Sequence, residues 1–552
     1  MCVSSPRTEF AVNHQPATMT AVETRLCELL LREHFGELVS RAGTHLVHMG
    51  PQPLRLVALG TGLNLDQVKK ALCVLLQHGM ASFKTGKRGV SGPTWVEYTA
   101  DCAAMLRMLR YTRYVYCAKT LYGDAGELLI EETLQHGQLT MSAAVRRVAD
   151  RMASTADEGK TVEYSDVAAA FTNLVNTHFL QRCLSGKEEG ESEGARPEAA
   201  PMLVSNEKDM YTVPKIPLIG HGKRRLSADS DDLDAHPAKK RKVEESLPDD
   251  GIYWRVNFER FHQHFHNQAI VSAVASKMDK TAGEIVRTML RMSELTTPPN
   301  AAFTQLLAST EIFRSLPPEY GMTKPVLDQY LSLLADDPME FVTKSGESGG
   351  GTFIVNLLKS LKTMARCTLE SIVQERFGSR AARIFRLLLQ KRHLEQKQVE
   401  DFAMIPAKEA KEMLYTMVSQ NFVTLQEIPK AADYAPARTF YLYTVNVEQT
   451  ARFILQRCYK TVTNLIARRH HETKENKRLL EKAQRIEAIL ASVQASGADE
   501  AQLQEIEEMI TATERQQLEN LKRTVNKLDK SEMQVDETVF LLETFLQASR
   551  PQ

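Results

Sequence analysis

The chain has 552 residues, of which 43% are hydrophobic and 25% are charged, and its 69 basic side chains equal its 69 acidic ones. This ordinary globular composition allows several domains. It lacks the basic excess of a dedicated nucleic-acid-binding protein, so we expect any contact with nucleic acid to be local. Eight cysteines without a CxxC pair indicate buried thiols in a reducing compartment, not disulfides or zinc sites.

The sequence shows no membrane span and no secretory signal. No apolar run approaches 18 residues. Residues 1–20 have no apolar signal core and are predicted to form a disordered extension, in which Met19 is an alternative start.

Residues 21–100 are predicted to form a winged-helix domain. An amphipathic helix begins at Leu65 and ends before Gly79, and two short strands, Met80–Phe83 and Thr94–Tyr98, enclose a basic, glycine-containing tip. A helix followed by a strand, a basic loop and a second strand is typical of the helix-turn-helix variant with a hairpin wing. The candidate DNA-binding residues here are Lys69, Lys70, Lys84, Lys87 and Arg88. The alternative is that they face partner subunits or solvent.

The same pattern recurs three more times, which indicates four degenerate repeats. We predict a bridging helix and a second winged helix over 101–220, a third over 251–357 and a fourth over 358–445. The second repeat has a disordered insertion at 184–208, and Asp209–Ile216 is predicted as its returning strand. Its Arg146 and Arg147 are candidate phosphate contacts, with a solvated helix face as the alternative.

Residues 221–250 are predicted to be a disordered linker with a bipartite nuclear-import segment. Two basic clusters flank an acidic spacer, the arrangement of a nuclear address. The alternative is a nonspecific polyanion-binding tether, and the two are compatible. The basic residues are Lys223, Arg224, Arg225, Lys239, Lys240, Arg241 and Lys242.

The sequence offers no catalytic or cofactor-binding motif. It contains no GxxxxGK[ST], no HExxH and no GxGxxG after a strand. Its two GxSxG matches, Gly190–Gly194 and Gly346–Gly350, do not lie between a predicted strand and a helix, as the nucleophile turn of that motif requires. His262 and His266 fall on one face of a helix predicted over Trp254–Lys277, but no nearby cysteine or carboxylate completes a zinc site. We therefore expect no metal, no cofactor and no small-molecule substrate.

Residues 446–552 are predicted to form a coiled-coil stalk. Two heptad helices joined by a turn near Gly497 most simply fold back as an antiparallel hairpin, with Asp499 and Gln502 as a capping box for the second helix. Pairing between chains is the alternative, since the same heptads permit it. The seam residues are Leu479, Ala483, Ile486, Leu490, Val493, Leu518, Leu521, Val525, Leu528, Val539 and Leu542.

Long stretches of the chain resemble a known family, that of the largest member of the RNA polymerase III initiation heterotrimer. QPLRLVALGTGLNLDQVKKALCVLLQHGM, GIYWRVNFERFHQHF and EQKQVEDFAMIPAKEAKEMLY are similar to this family, and the similarity runs almost end to end from Met19. Ser91–Trp95 makes the first wing longer than in that family. The resemblance implies four winged helices and a coiled coil, akin to the alpha subunit of transcription factor IIE.

The resemblance also implies a function. It points to a peripheral, non-catalytic nuclear subunit on the polymerase clamp that works with two smaller subunits in initiation at tRNA and 5S rRNA genes. It further implies some cytosolic protein and a part in antiviral sensing of DNA. From the residues alone, the lysines and arginines of the winged helices would contact single- or double-stranded DNA without reading its sequence.

Three other classes of protein fit the sequence less well. A free-standing winged-helix regulator would need a basic recognition helix, which the zero net charge disfavours. A helical scaffold of a proteolytic or signalling complex is disfavoured by the basic first wing and the nuclear segment. An enzyme is disfavoured most, because no catalytic motif is present.

Overall fold

The computed structural model describes residues 19–87, 94–155, 164–183, 210–214, 249, 251–298, 301–430, 439–495, 506 and 509–549. This part of the chain is mainly helical and contains four antiparallel sheets of three strands each. It divides into two compact units, Met1–Met108 with Gln456–Glu537, and Leu109–Leu455 with Thr538–Gln552. The predicted fold class, tandem winged helices with an antiparallel helical hairpin at the C-terminal end, is confirmed.

The first winged helix lies in the first unit. Its helix at the recognition position is capped by Asn64, whose backbone N–H donates to the Gln67 side chain at 3.2 Å, and it buries Val68, Leu72 and Leu75. The strands of the wing are longer than predicted. The elements are α1 (Ala21–Met49), β1 (Gln52–Pro53), α2 (Leu54–Thr61), α3 (Leu65–Gln77), β2 (Ala81–Lys87), β3 (Thr94–Ala100) and α4 (Cys102–Leu106), with sheet order β1-β3-β2.

The second winged helix opens on a long, bent helix. Gly123 has a φ of 70°, which a glycine adopts without strain, and the helix bends at this residue. The sequence predicted two separate elements here, a bridging helix and the first helix of the second domain. The elements are α5 (Tyr111–His136), β4 (Leu139–Thr140), α6 (Met141–Thr155), α7 (Tyr164–Asn176), β5 (Leu180–Arg182) and β6 (Tyr253–Val256), with sheet order β4-β6-β5.

The predicted returning strand of this domain is wrong. Of Asp209–Ile216, residues 210–214 form a turn and an irregular segment, and β6 closes the sheet instead. Trp254 and Val256 of β6 fill the core with 1% and 3% of their surface exposed. Pro214 in the predicted strand also has no backbone N–H to donate to the hydrogen bonds between strands. The third winged helix therefore begins after β6, and its first helix starts at Phe258 and not at Trp254.

The third and fourth winged helices follow in the second unit. The third comprises α8 (Phe258–Lys277), α9 (Lys280–Ser293), β7 (Leu307–Ala308), α10 (Ser309–Ser315), α11 (Lys324–Ala335), β8 (Val342–Gly346) and β9 (Thr352–Val355). The fourth comprises α12 (Leu357–Phe377), α13 (Ser379–Lys391), β10 (His393–Leu394), α14 (Gln396–Ala403), α15 (Ala407–Ser419), β11 (Thr424–Pro429) and β12 (Thr439–Thr444). Their sheets have the orders β7-β9-β8 and β10-β12-β11, so every sheet places its last strand in the centre.

The stalk consists of α16 (Val447–Glu475), α17 (Lys477–Ala495) and α18 (Ala512–Ala548). Arg469 of α16 contacts Asp529 of α18 at 2.8 Å, and Lys482 of α17 contacts Glu514 of α18 at 2.7 Å. From the first of these contacts to the second, the residue number rises along α16 and α17 and falls along α18. The helices are therefore antiparallel, and they pair within one chain.

A capping box marks the start of α18. Asp499 and Gln502 lie outside the described residues. The helix is capped at Thr511, whose hydroxyl accepts the N–H of Glu514 at 3.3 Å while the Glu514 carboxylate accepts the N–H of Thr511 at 3.0 Å. This reciprocal pair satisfies two backbone donors that a helix start otherwise leaves free.

Candidate nucleic-acid interface

The first winged helix presents lysines from its recognition-position helix. Lys69 and Lys70 occupy the second turn of α3 and are exposed, because the opposite face carries the core residues. The Lys69 ammonium lies 3.4 Å from the Asp66 carboxylate, and both side chains are more than half exposed. An exposed pair of this kind is weak, so a phosphate could replace the carboxylate at little cost.

The wing adds a third lysine. In the antiparallel register of β2 and β3, Lys84 is opposite Glu97 and Lys87 is opposite Thr94. Lys84 is exposed, and its cross-strand position beside a carboxylate lowers the net positive charge of that face. Arg88 and the side chain of Lys87 lie outside what the structure describes, so Lys69, Lys70 and Lys84 are the candidates of this domain whose exposure is known.

Aromatic side chains on the wing were missed as candidates. Trp95 on β3 is 41% exposed and Phe83 on β2 is 55% exposed. Exposed aromatic rings on strands next to basic residues are typical of surfaces that stack on unpaired bases. The signal was present in the sequence, because Trp95 ends the segment that lengthens this wing, but its exposure depends on the strand register.

The two arginines of α6 have different surroundings. Arg147 lies 3.9 Å from Glu132 of α5 and also contacts the His136 ring. Arg146 is exposed on the neighbouring position. A carboxylate thus accompanies Arg147 as one accompanies Lys69, and Arg147 stays a candidate. Arg146 also stays a candidate.

The histidines of α8 serve packing and hydrogen bonding. His262 contacts the Tyr114 hydroxyl at 2.7 Å. Burial lowers the pKa of His266 to about 4. Burial opposes ionisation of Glu294, but hydrogen bonds from His264 and Arg260 outweigh it and lower the pKa of this carboxyl to about 2. Among the described residues, no three histidine, cysteine or acidic side chains are placed to hold a metal ion.

The fourth wing has a different surface from the first. Large apolar side chains on both of its faces are 37–44% exposed, and its described lysine, Lys430, lies over the Phe440 ring at 4.4 Å. The apolar residues are Leu425, Ile428, Phe440 and Tyr441. An exposed apolar hairpin suits a protein partner better than phosphate.

The stalk seam is at least partly buried along its length. Ile486, Leu521, Val539 and Leu542 are buried, and the other predicted seam residues are half-buried. The seven basic residues predicted for nuclear import all lie outside the described residues. No described helix is both long enough and apolar enough to cross a bilayer.

Comparison with known proteins decides the family. The chain is 63% identical over 535 residues to the DNA-directed RNA polymerase III subunit RPC3 of Homo sapiens, an alignment that covers 96% of this chain and 99% of the human protein. The RPC3 of Danio rerio is 62% identical over 541 residues, covering 96% and 100%. The rpc3 of Dictyostelium discoideum is 22% identical and covers 82% and 92%.

The chain belongs to the RPC3 subunit family of RNA polymerase III. Four family models match it in consecutive segments. They are the RPC82 helix-turn-helix domain at residues 25–85, RNA polymerase III subunit RPC82 at 169–364, the C-terminal winged-helix domain of POLR3C at 369–445 and the RPC3 helical hairpin domain at 478–541. The RPC3-type hairpin corresponds to α17 and α18, and the helix-turn-helix model covers α2, α3 and the first strand of the wing.

Proposed function

We propose that this chain is a non-catalytic subunit that helps RNA polymerase III engage and open promoter DNA during initiation. The observation that carries the proposal is the exposure of Lys69, Lys70 and Lys84 on the helix and wing of a winged helix in an RPC3-family protein. Lysines placed this way bind phosphate at any sequence. The genes served would be those of small structured RNAs such as tRNA and 5S rRNA.

The partners of the chain follow from the family. As a member of the RPC3 family it is a polymerase III subunit, and it works with the other subunits in the nucleus. We propose that its direct partners are two smaller subunits of an initiation heterotrimer and the clamp of the largest subunit. The exposed apolar side chains of the fourth wing support a protein contact there. A cytosolic pool that detects foreign DNA is a further part of the proposal.

The electrostatic part is tested by the salt dependence of DNA binding. Neutralising Lys84, Lys87 and Arg88 should flatten the plot of log affinity against log salt by about 0.7–0.9 for each phosphate that the variant no longer binds. A matched control neutralises Lys408 and Lys411, two exposed lysines of α15 in the fourth winged helix. A slope that stays the same in the wing variant contradicts the proposal.

The subunit role is tested by purification. A tagged chain should recover the large catalytic polymerase subunits from nuclear extract in near-equal amounts after nuclease treatment. Recovery of the chain alone, or only in the presence of DNA, would instead indicate a free-standing DNA-binding regulator.

A further inference from the structure

Two free cysteines meet inside the first winged helix. Cys27 lies on the buried face of α1 with none of its surface exposed, and Cys102 is the first residue of α4 and is half-buried. α4 packs against α1, and the two thiols share a hydrogen bond. Sulfur atoms that already touch across two packed helices can be joined by a disulfide without a large movement of the backbone.

The hydrogen bond makes the two sulfur atoms chemically different. Cys27 donates its S–H to the Cys102 sulfur, and this bond lowers the pKa of the Cys102 thiol against the opposing effects of burial and of the Asp101 and Glu23 carboxylates. The same hydrogen bond, together with burial, raises the pKa of the Cys27 thiol. Because the thiolate is the reactive form of cysteine, Cys102 should react first while Cys27 keeps its proton.

We propose that Cys102 and Cys27 form a site of reversible oxidation by hydroperoxides, in which Cys102 becomes a sulfenic acid and Cys27 then closes a disulfide between α1 and α4. In the first step the Cys102 thiolate attacks the O–O bond of hydrogen peroxide, gains one oxygen and releases hydroxide. In the second step the Cys27 sulfur attacks the Cys102 sulfur, and the Cys27 proton leaves with the hydroxyl group as water. The peroxide is the two-electron oxidant, and both sulfur atoms are oxidised.

The site lies at the base of the first wing. β3 ends at Ala100, and the Asp101 N–H donates to the Met80 carbonyl at 2.8 Å, so Cys102 directly follows the strand pair that carries the wing. A disulfide at this position fixes the end of β3 to α1. A reducing compartment returns the pair to thiols, which is the behaviour of a transient intracellular disulfide.

Peptide mapping tests the connection. The full chain is reduced and treated with a small excess of hydrogen peroxide, and its remaining thiols are alkylated before digestion. Mass spectrometry should find the peptide of Cys27 linked to that of Cys102, and dithiothreitol should remove the link. Cys73→Ser is the matched control, because it removes an exposed cysteine of the same domain, and it should leave the link unchanged. Oxidation of Cys73 without a link between Cys27 and Cys102 overturns the proposal.

Dimedone, which traps sulfenic acids, tests the order of the two steps. Cys27→Ala should accumulate the adduct at Cys102, because no second thiol condenses with the sulfenic acid. Cys102→Ala should leave Cys27 as a free thiol at the same peroxide concentration. An adduct at Cys27, or equal trapping at Cys102 in the wild type and in Cys27→Ala, overturns the proposal. The mapping of the wild-type chain needs no substitution, so it decides the question even if Cys27→Ala fails to fold.

Discussion

One helix, α18, lies in two different environments. Its first part, Ala512 to Glu537, pairs with the other stalk helices, and most of its seam residues, such as Leu518 and Val525, are only half-buried. Its last part, from Thr538, contributes Phe540 and Leu542 to the second unit at 5% and 0% exposure. A single heptad register therefore provides a stalk in one half and a domain core in the other.

The two halves are stabilised by different forces. The Phe540 ring lies between aromatic neighbours, 5.4 Å from the His262 ring and 6.0 Å from the Phe265 ring between centroids. The stalk half depends on shared charges, because Arg469 contacts Glu33 at 2.9 Å, Asp529 and Glu532. Apolar burial contributes more per residue than partly exposed ion pairs, so mutations should affect the two halves to different extents.

The largest effect is expected from Phe540→Ala. Removing a buried phenylalanine leaves a cavity and should lower the free energy of unfolding of the second unit by about 3–5 kcal/mol. The half-buried Leu528→Ala is the stalk control and should cost about 1 kcal/mol. Urea unfolding followed by Trp254 fluorescence in a Trp95→Phe background measures the Phe540 variant, because Trp254 belongs to the same core cluster. Far-UV circular dichroism measures the loss of helix in the Leu528 variant. Equal losses would mean that the two halves are equally buried in solution.

Glu543→Gln should lower the free energy of unfolding almost as much as Phe540→Ala does. Its carboxylate lies 2.6 Å from the Arg110 guanidinium, which is 3% exposed, so the variant removes a charge-charge interaction from a buried cation, at a cost of about 3 kcal/mol. Replacing Arg110 with methionine in the same chain should restore most of the stability. Arg523→Ala, on the exposed face of the stalk half, should change stability by less than about 0.5 kcal/mol. A double variant as unstable as the single one would contradict the pairing.

The helices could be predicted from the sequence because their periodicity is local. The helix predicted to begin at Leu65 and to end before Gly79 spans Leu65–Gln77. Heptad spacing identifies an apolar stripe but not what covers it, so the burial of Val539 and Leu542 within the second unit could not be predicted. Nothing in the sequence indicated that Phe540, which lies next to this stripe, is a core residue.

Long-range pairing explains the other errors. Asp209–Ile216 and Tyr253–Val256 both have strand-like composition, and only the packing of Trp254 decides between them. The ion pair of Arg147 with Glu132 could not be predicted, because the two residues are distant in sequence. The exposure of Trp95 depended in the same way on its register with Gly86.

A small effect is expected from Glu532→Gln, and its pH dependence is informative. Three carboxylates share Arg469, and burial raises the pKa of Glu532 above its ordinary value of 4.5 despite that arginine. The folded chain then binds the proton of Glu532 more tightly than the unfolded chain does. The stability that this protonation contributes is present below pH 4.5 and is lost as the pH rises through the pKa of Glu532 in the folded chain.

At pH 7 the free energy of unfolding of the glutamine variant should therefore lie within about 0.5 kcal/mol of the wild-type value. Its stability relative to the wild type should improve as the pH rises from 4.5, which urea unfolding at several pH values measures. A relative stability that falls with rising pH would mean that the Arg469 contact outweighs the burial of Glu532.

The smallest effect is expected in the titration of a single carboxyl group, that of Glu514. Hydrogen bonds from Lys482, and from the backbone N–H and hydroxyl of Thr511, lower the pKa of Glu514 to about 2. Lys482→Ala should move the midpoint of Glu514 up towards 4.5, as observed by carboxyl NMR on chains with labelled glutamate, with Glu514→Gln for assignment. A midpoint that stays near 2 would show that the Thr511 cap alone holds the carboxylate. The ion pair between α17 and α18 would then be a consequence of their packing, and apolar seam contacts alone would align the stalk half of α18.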